Sequence, residues 1–328
     1  MKAVRLETPG HLALIDWPEP PEPGPGEALV RVRRVGVCGT DHHSFRGRQP
    51  FFAYPRILGH ELAVEVVETG ERCALAPYLF CGRCLACRHG RTNCCANLKV
   101  LGVHVDGGMR ERLVVPLTNL HPSSRLSFDE LALVEPLSIG AHAVARAAIE
   151  PDEEALVIGA GPIGLATVQA AIAAGARVIV SELNHARRAF ASQRFDLAAA
   201  MSPADDLRAV LRDPDERPTV VFDATGSIES MRGAFDYVGT GGRLVLVGLA
   251  QGDITFHDPE FHRRELTVLA TRNATGDDFR RVIAWLESGR VDAVSWITHR
   301  GSLDDIPVMF ERWMDPASGC LKGVVEIG

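Results

Sequence analysis

Apolar and polar residues alternate along two stretches in the first half of the chain, EALVRVRRVGV from Glu27 and ELAVEVVETG from Glu61. A period of two sends successive side chains to opposite faces of a strand, so both stretches predict β-strands. Pro and Gly turns separate such runs, and the first part of the chain, to about residue 125, reads as β-rich. WPEPPEPGPGE, residues 17–27, predicts an extended connector. From Glu130 the texture changes to helix and strand in turn. ALVIG predicts a buried strand, PIGLATVQAAIAAG a helix stopping at Gly175, RVIVS the next strand, and TVVFDATG and GRLVLVG two more. This alternation implies an α/β fold with a doubly wound parallel sheet and helices on both faces. After Thr275, DDFRRVIAWLESGR predicts a further helix, and the chain closes on a mixed segment, GCLKGVVEIG.

With 328 residues the chain can bury two cores rather than one. Its 46% hydrophobic and 23% charged residues are those of a soluble globular protein, and a net charge of −7 argues against nucleic acid or an acidic membrane as partner. Ala155 to Ala176 runs 22 residues without a charge, long enough to cross a bilayer. Gly159, Gly161, Pro162 and Gly164 interrupt it, however, and a strand, a turn and a helix account for it better. MKAVRLETPG lacks the apolar centre of a signal peptide. The expected location is the cytoplasm, where clustered cysteines hold metal more often than disulfides.

Gly159, Gly161 and Gly164 form G-x-G-x-x-G between a predicted strand and helix. The first glycine permits the tight turn, the second lets a pyrophosphate approach the backbone, and the third packs helix on strand. The helix N-terminus then offers free N–H groups to the phosphates. Glu182, 21 residues after Gly161, stands where a carboxylate can accept from an adenosine ribose diol and repel a 2′-phosphate. NAD is therefore expected ahead of NADP, which Arg177 and Arg187 keep open.

Five of the eight cysteines lie within CGRCLACRHGRTNCC, residues 81–95. Cys81, Cys84 and Cys87 let one loop wrap three thiolates around an ion, and such a sulfur set favours a closed, structural zinc over iron–sulfur. Local chemistry leaves Cys94 and Cys95 open as the fourth ligand. A second set is Cys38 in GVCGTDHHSF with His60 and Glu61 in LGHE: a thiolate, an imidazole and a carboxylate. Three protein ligands and an open fourth place are what catalytic zinc requires. Neighbours on a regular strand point apart, so His60 and Glu61 can share an ion only where the backbone bends, for which Gly59 gives room. Glu135, in LVEPLSIGAHA, is an acid in an apolar run and is costly to bury unless paired or metal-bound.

Together these motifs resemble the zinc-containing medium-chain dehydrogenases, in their sorbitol and threonine dehydrogenase-like branch. The resemblance spans the chain, from GEALVRVRRVGVCGTD through GHE, the cysteine lobe, EPLSIGAHA and GAGPIG to LKGVVEI. It implies a GroES-like catalytic domain from residues 1–130 and 276–328, with the zinc lobe at 81–95, and a Rossmann dinucleotide-binding domain at 131–275. It also implies a homo-oligomer, dimer or tetramer.

Family spacing leaves seven residues between the third and fourth lobe cysteines. The resemblance therefore implies structural zinc on Cys81, Cys84, Cys87 and Cys95, with Cys94 spare. It implies catalytic zinc on Cys38 and His60, two zinc ions per chain. Glu61 would bind directly or stand behind the metal, and Glu135 would reach it directly or through water, where the alcohol dehydrogenases proper use Cys. Gly159, Gly161, Pro162, Ile163 and Gly164, with Glu182 and Arg187, would hold NAD. Thr40 matches the hydroxyl beside the substrate alcohol, and His43 the solvent end of a proton relay. His42 has no such match and is read as a surface residue.

The implied reaction is oxidation of an alcohol. Zinc lowers the pKa of the substrate hydroxyl. Its proton goes to Thr40, then through the nicotinamide ribose to His43, a residue type suited to shuttling near neutral pH. Hydride goes to the nicotinamide. One departure from the family is the short passage from Glu61 to Cys81, which cuts down the loop before the turn at Gly70–Cys73.

For substrate, TRNATGDDFRRVIAWLESGRVDA resembles the matching segment of polyol and sugar-acid enzymes, with Arg272 a candidate for a carboxylate and Phe45, Phe51 and Phe52 candidates for the pocket mouth. A secondary alcohol of a polyol, sugar or sugar acid is expected. The alternatives are L-threonine or a simple alcohol, or a non-catalytic NAD-binding zinc protein with Cys73 and Cys94 as reactive thiols. A zinc-free quinone or enone reductase is disfavoured by Cys38, His60 and Glu61 together.

Overall fold

The computed structural model describes residues 1–203, 211 and 217–328. It divides into two compact units, Met1–Glu135 with Thr275–Gly328, and Pro136–Ala274.

The first unit is built on the strand Glu27–Val37, whose residues Ala28, Val30 and Val32 are buried in alternation. The main sheet runs Leu120–Pro122, Arg72–Leu75, Glu61–Val66, Glu27–Val37, Lys322–Glu326, Ile297–Ser302, and Arg112–Pro116 also pairs with Glu27–Val37. Antiparallel register sets Gly36 opposite Glu61 and Val37 opposite Gly323. Three segments far apart in sequence thus end at one place, which positions the site. Val30, Val32, Val35, Leu62, Val64, Leu113, Phe310 and Trp313 belong to the core behind this sheet. The passage that looked short is a tight hairpin between Glu61–Val66 and Arg72–Leu75, closed by Gly70 N–H on Val66 O at 2.8 Å. Cys73 is buried in its second strand, and burial pushes its thiol up to about 12, which removes it as a reactive thiol.

Several helices of the first unit had no counterpart in the sequence reading, Gly39–Phe45, Phe128–Ala132 and Ile306–Trp313 among them. Phe128–Ala132 starts at a capping box, in which Ser127 and Glu130 satisfy each other's backbone N–H groups. Arg34 Nε donates to Asp129 Oδ1 at 3.0 Å, which ties the helix to the central strand. The helix therefore stays with the first unit, whose boundary falls at Glu135.

In the second unit six parallel strands lie in the order Ala199–Met201, Arg177–Ser181, Glu154–Ile158, Val220–Asp223, Arg243–Leu246, Thr267–Ala270. Strands buried on both faces read as unbroken apolar runs, as LVI and VVF do here. The uncharged stretch Ala155–Ala176 holds the strand Glu154–Ile158, a turn and the helix Pro162–Ala173. Among the described residues, no helix is long and apolar enough to cross a membrane.

Candidate active site and metal centres

Cys38 ends the strand Glu27–Val37 and caps the helix Gly39–Phe45, with its N–H donating to Asp41 Oδ2 at 2.9 Å. His60 and Glu61 follow Gly59, which takes φ +95°. Only glycine adopts that backbone readily, and a Cβ there would stand 2.8 Å from Val35 Cγ1. Ligand atoms of Cys38, His60 and Glu61 all lie within 4.8 Å of one another. The register pair Gly36 makes room for the carboxylate: a Cβ there would stand 2.0 Å from Glu61 Oε2.

The electrostatics of this point favour a cation. Asp41, His60, Glu61 and Glu135 are all buried, and the buried Lys322 pairs with Glu61 while Nζ donates to Val37 O at 3.1 Å. Asp41 Oδ1, His60 Nδ1 and Glu61 Oε1 are buried without a hydrogen-bond partner. Asp41 Oδ1 is 3.6 Å from His60 Nδ1. Orphan buried atoms of this kind are uncommon and call for an explanation such as an ion. Burial works against a charged His60, but Asp41 and then Cys38 outweigh it and hold the imidazole well above its usual range. A thiol, an imidazole and a carboxylate with unused lone pairs fit a zinc ion with an open place.

Glu135 sits in the first turn of the helix Val134–Ala147, outside that group of three. Its Oε1 accepts from the Tyr78 hydroxyl. Burial, helped by the Glu61 carboxylate, pushes Glu135 up to about 7 against the pull of His60. Thr40 is half-buried and His43 exposed, three positions apart on the helix Gly39–Phe45 and so on one face. His42 departs from expectation. It is not a surface residue: its ring meets Phe310 edge-on at 5.4 Å, and burial lowers it to about 4. Of the three phenylalanines, Phe45 packs in the core against Phe310, Phe52 lies against Tyr54, and Phe51 is exposed beside His104.

In the lobe, the sulfurs of Cys81, Cys84, Cys87 and Cys95 form the second group within 4.8 Å, while Cys94 is exposed outside it. Cys84 and Cys87 are 3.5 Å apart, as are Cys81 and Cys95. Backbone N–H groups of Arg83 and Cys84 lower Cys81 to about 6, and those of Cys87 and Ala96 lower Cys84. Four converging sulfurs, two of them held toward thiolate, fit a closed tetrahedral zinc.

In the second unit Gly159 takes φ +94°, Gly161 caps the helix and Pro162 opens it. A Cβ on Gly164 would fall 1.8 Å from Gly159 O, so only glycine allows this close crossing. Ile163 accepts from Thr167 Oγ1 at 2.9 Å through its carbonyl. Glu182 accepts from the N–H groups of Ala160 and Asn184, both at 2.7 Å, and so ties the glycine turn to the next strand. Each carboxylate oxygen keeps a further lone pair for a ligand. The exposed Arg187 lies over the turn, its Nη1 3.7 Å from where a Gly161 Cβ would be.

The sequence reading did not single out Gly36, Asp41, Tyr78 or Lys322. Asp41 and Lys322 lay inside GTD and LKGVVEI, motifs already quoted, and for Lys322 the apolar residues that follow it were the available signal. Gly36 and Tyr78 carried none.

Residues 24–125 match the alcohol dehydrogenase GroES-like domain and residues 162–288 the zinc-binding dehydrogenase domain. With this fold and these two ligand groups, the chain belongs to the zinc-type alcohol dehydrogenase family and is an oxidoreductase. It is 42% identical over 318 residues to the L-galactonate-5-dehydrogenase of Escherichia coli (strain K12), covering 94% of each chain. Among solved structures, a putative zinc-binding dehydrogenase of Sinorhizobium meliloti 1021 bound to NADP is 32% identical, with a TM-score of 0.91 over 99% of this chain and 98% of that one. The rspB alcohol dehydrogenase of Escherichia coli CFT073, complexed with NADH, is 29% identical, with a TM-score of 0.93 over 100% and 99%.

Proposed function

We propose that the chain oxidises a secondary alcohol of a polyol, sugar or sugar acid, with NAD as hydride acceptor. The observation that carries this is the convergence of Cys38, His60 and Glu61, with buried orphan atoms, in a chain so similar to L-galactonate-5-dehydrogenase. Zinc bound there supplies Lewis-acid polarisation of the substrate oxygen. Thr40 takes the hydroxyl proton in the sheltered first turn of its helix, and the exposed His43 releases it to solvent. Lys322 holds one side of the Glu61 carboxylate and so orients it. The lobe cysteines Cys81, Cys84, Cys87 and Cys95 hold a second zinc, which is structural because its four sulfurs leave no open place.

In this reading the first unit is the catalytic domain and the second binds the dinucleotide through Gly159, Gly161, Pro162, Ile163, Gly164 and Glu182. NAD is preferred because Glu182 would repel a 2′-phosphate. Arg187, over the glycine turn, leaves weaker use of NADP. The family resemblance further supports a homo-oligomer, and the clustered cysteines a cytoplasmic location.

A screen of L-galactonate, other sugar acids, polyols, L-threonine and simple alcohols, each with NAD and with NADP, tests this by nicotinamide absorbance. The highest kcat/KM is expected for a sugar acid or polyol with NAD. A preference for threonine or a simple alcohol, or no turnover with any of them, contradicts it.

A further inference from the structure

Tyr78 has no part in the chemistry described above, yet it is buried, 5% exposed, and spends its hydroxyl on Glu135. Its surroundings fix it on every side. Its backbone pairs with Val100 in the short strand pair Tyr78–Leu79 with Lys99–Val100, which closes the base of the cysteine lobe. Its carbonyl accepts from Asn119 Nδ2 at 3.0 Å, and its ring meets Phe279 edge-on at 6.2 Å and 86°. A phenol held this way sets the direction of whatever it is bonded to. Its acceptor is a buried carboxylate that lies outside the group of Cys38, His60 and Glu61 and interacts electrostatically with both His60 and Glu61.

Released from that bond, Glu135 would no longer be held in its present direction and could turn toward the cation site. A thiolate and one carboxylate already balance the charge of a divalent ion. A second carboxylate bound to the ion would donate further negative charge to it, weaken its Lewis acidity and fill the place a substrate oxygen needs. We propose that Tyr78 is a positioning residue that holds Glu135 out of the ligand set and so keeps the fourth place open. This rests on the zinc site proposed above.

Cobalt replacing zinc makes the centre visible, and subtracting the spectrum of Cys38→Ser removes the contribution of the lobe. The set is the parent, Tyr78→Phe, Glu135→Gln and the double variant, each with NADH affinity as a check on folding. Tyr78→Phe is expected to weaken the visible cobalt bands, as an added donor does, and to slow turnover about 10- to 100-fold. Glu135→Gln is expected to keep the parent's difference spectrum, and the double variant to return to it. A Tyr78→Phe spectrum superimposable on the parent's overturns the proposal, as does a change produced by Glu135→Gln alone. Should Tyr78→Phe lose NADH binding, Glu135→Gln decides: an unchanged spectrum supports the proposal and a changed one overturns it. A parent without any cobalt signal lost in Cys38→Ser overturns the zinc site itself, and this inference with it.

Discussion

The four sulfurs of the lobe come from fifteen consecutive residues, whereas Cys38, His60 and Glu61 come from the ends of two strands, and Asp41, Glu135 and Lys322 around them from three further segments. The lobe is also self-contained: each sulfur has sulfur neighbours, and backbone N–H groups complete the shell. The other centre keeps orphan atoms, a tight approach at Gly36 and a buried Lys322 brought from the far end of the chain. A closed shell can be written into one loop, because nothing else has to reach it. An open one must leave a place vacant while several buried charges are held apart, and that takes residues the whole sheet has to assemble.

Variants can strain this contrast at several points. Gly36→Ala puts a methyl group where the Glu61 carboxylate lies, and turnover should fall about 10- to 100-fold with NADH affinity unchanged. Near-parent activity would mean that the position of Glu61 hardly matters. In the lobe, Cys95→Ser should lose one zinc and about 3 kcal/mol of stability, a drop in melting temperature of roughly 6–12 °C. Cys94→Ser, changing an exposed thiol outside the group, should stay within about 0.5 kcal/mol of the parent. The reverse order of the two would move the fourth ligand to Cys94. The mildest change is expected from His43→Ala: alcohol oxidation about tenfold slower near neutral pH, with the gap closing in alkaline solution as hydroxide takes over the proton. An unchanged pH profile would remove His43 from the relay.

Much of this was legible in the sequence because it was local. Alternation marked Glu27–Val37 from end to end, and the strand, glycine turn and helix after Glu154 could be read from period and punctuation. The lobe was legible as a metal site from spacing, although choosing Cys95 over Cys94 needed the family pattern. What stayed hidden was held by register. Gly36 matters only because the sheet sets it opposite Glu61, and Lys322 because its strand returns 285 positions later beside Val37. Tyr78 carried no signal in the sequence, because only the fold sets its hydroxyl against Glu135. His42 shows the opposite limit: without a family match it was read as a surface residue, and Phe310, from a helix near the end of the chain, packs against its ring.

The most direct measurement is the zinc content of purified protein, parent beside Cys38→Ser, with NADH binding confirming that each is folded. Two zinc ions per chain are expected in the parent and one in the variant, with the remaining ion lost only when a lobe cysteine is also replaced. Two ions in both proteins, or a single ion in the parent that Cys38→Ser leaves in place, would contradict a metal centre at Cys38, His60 and Glu61.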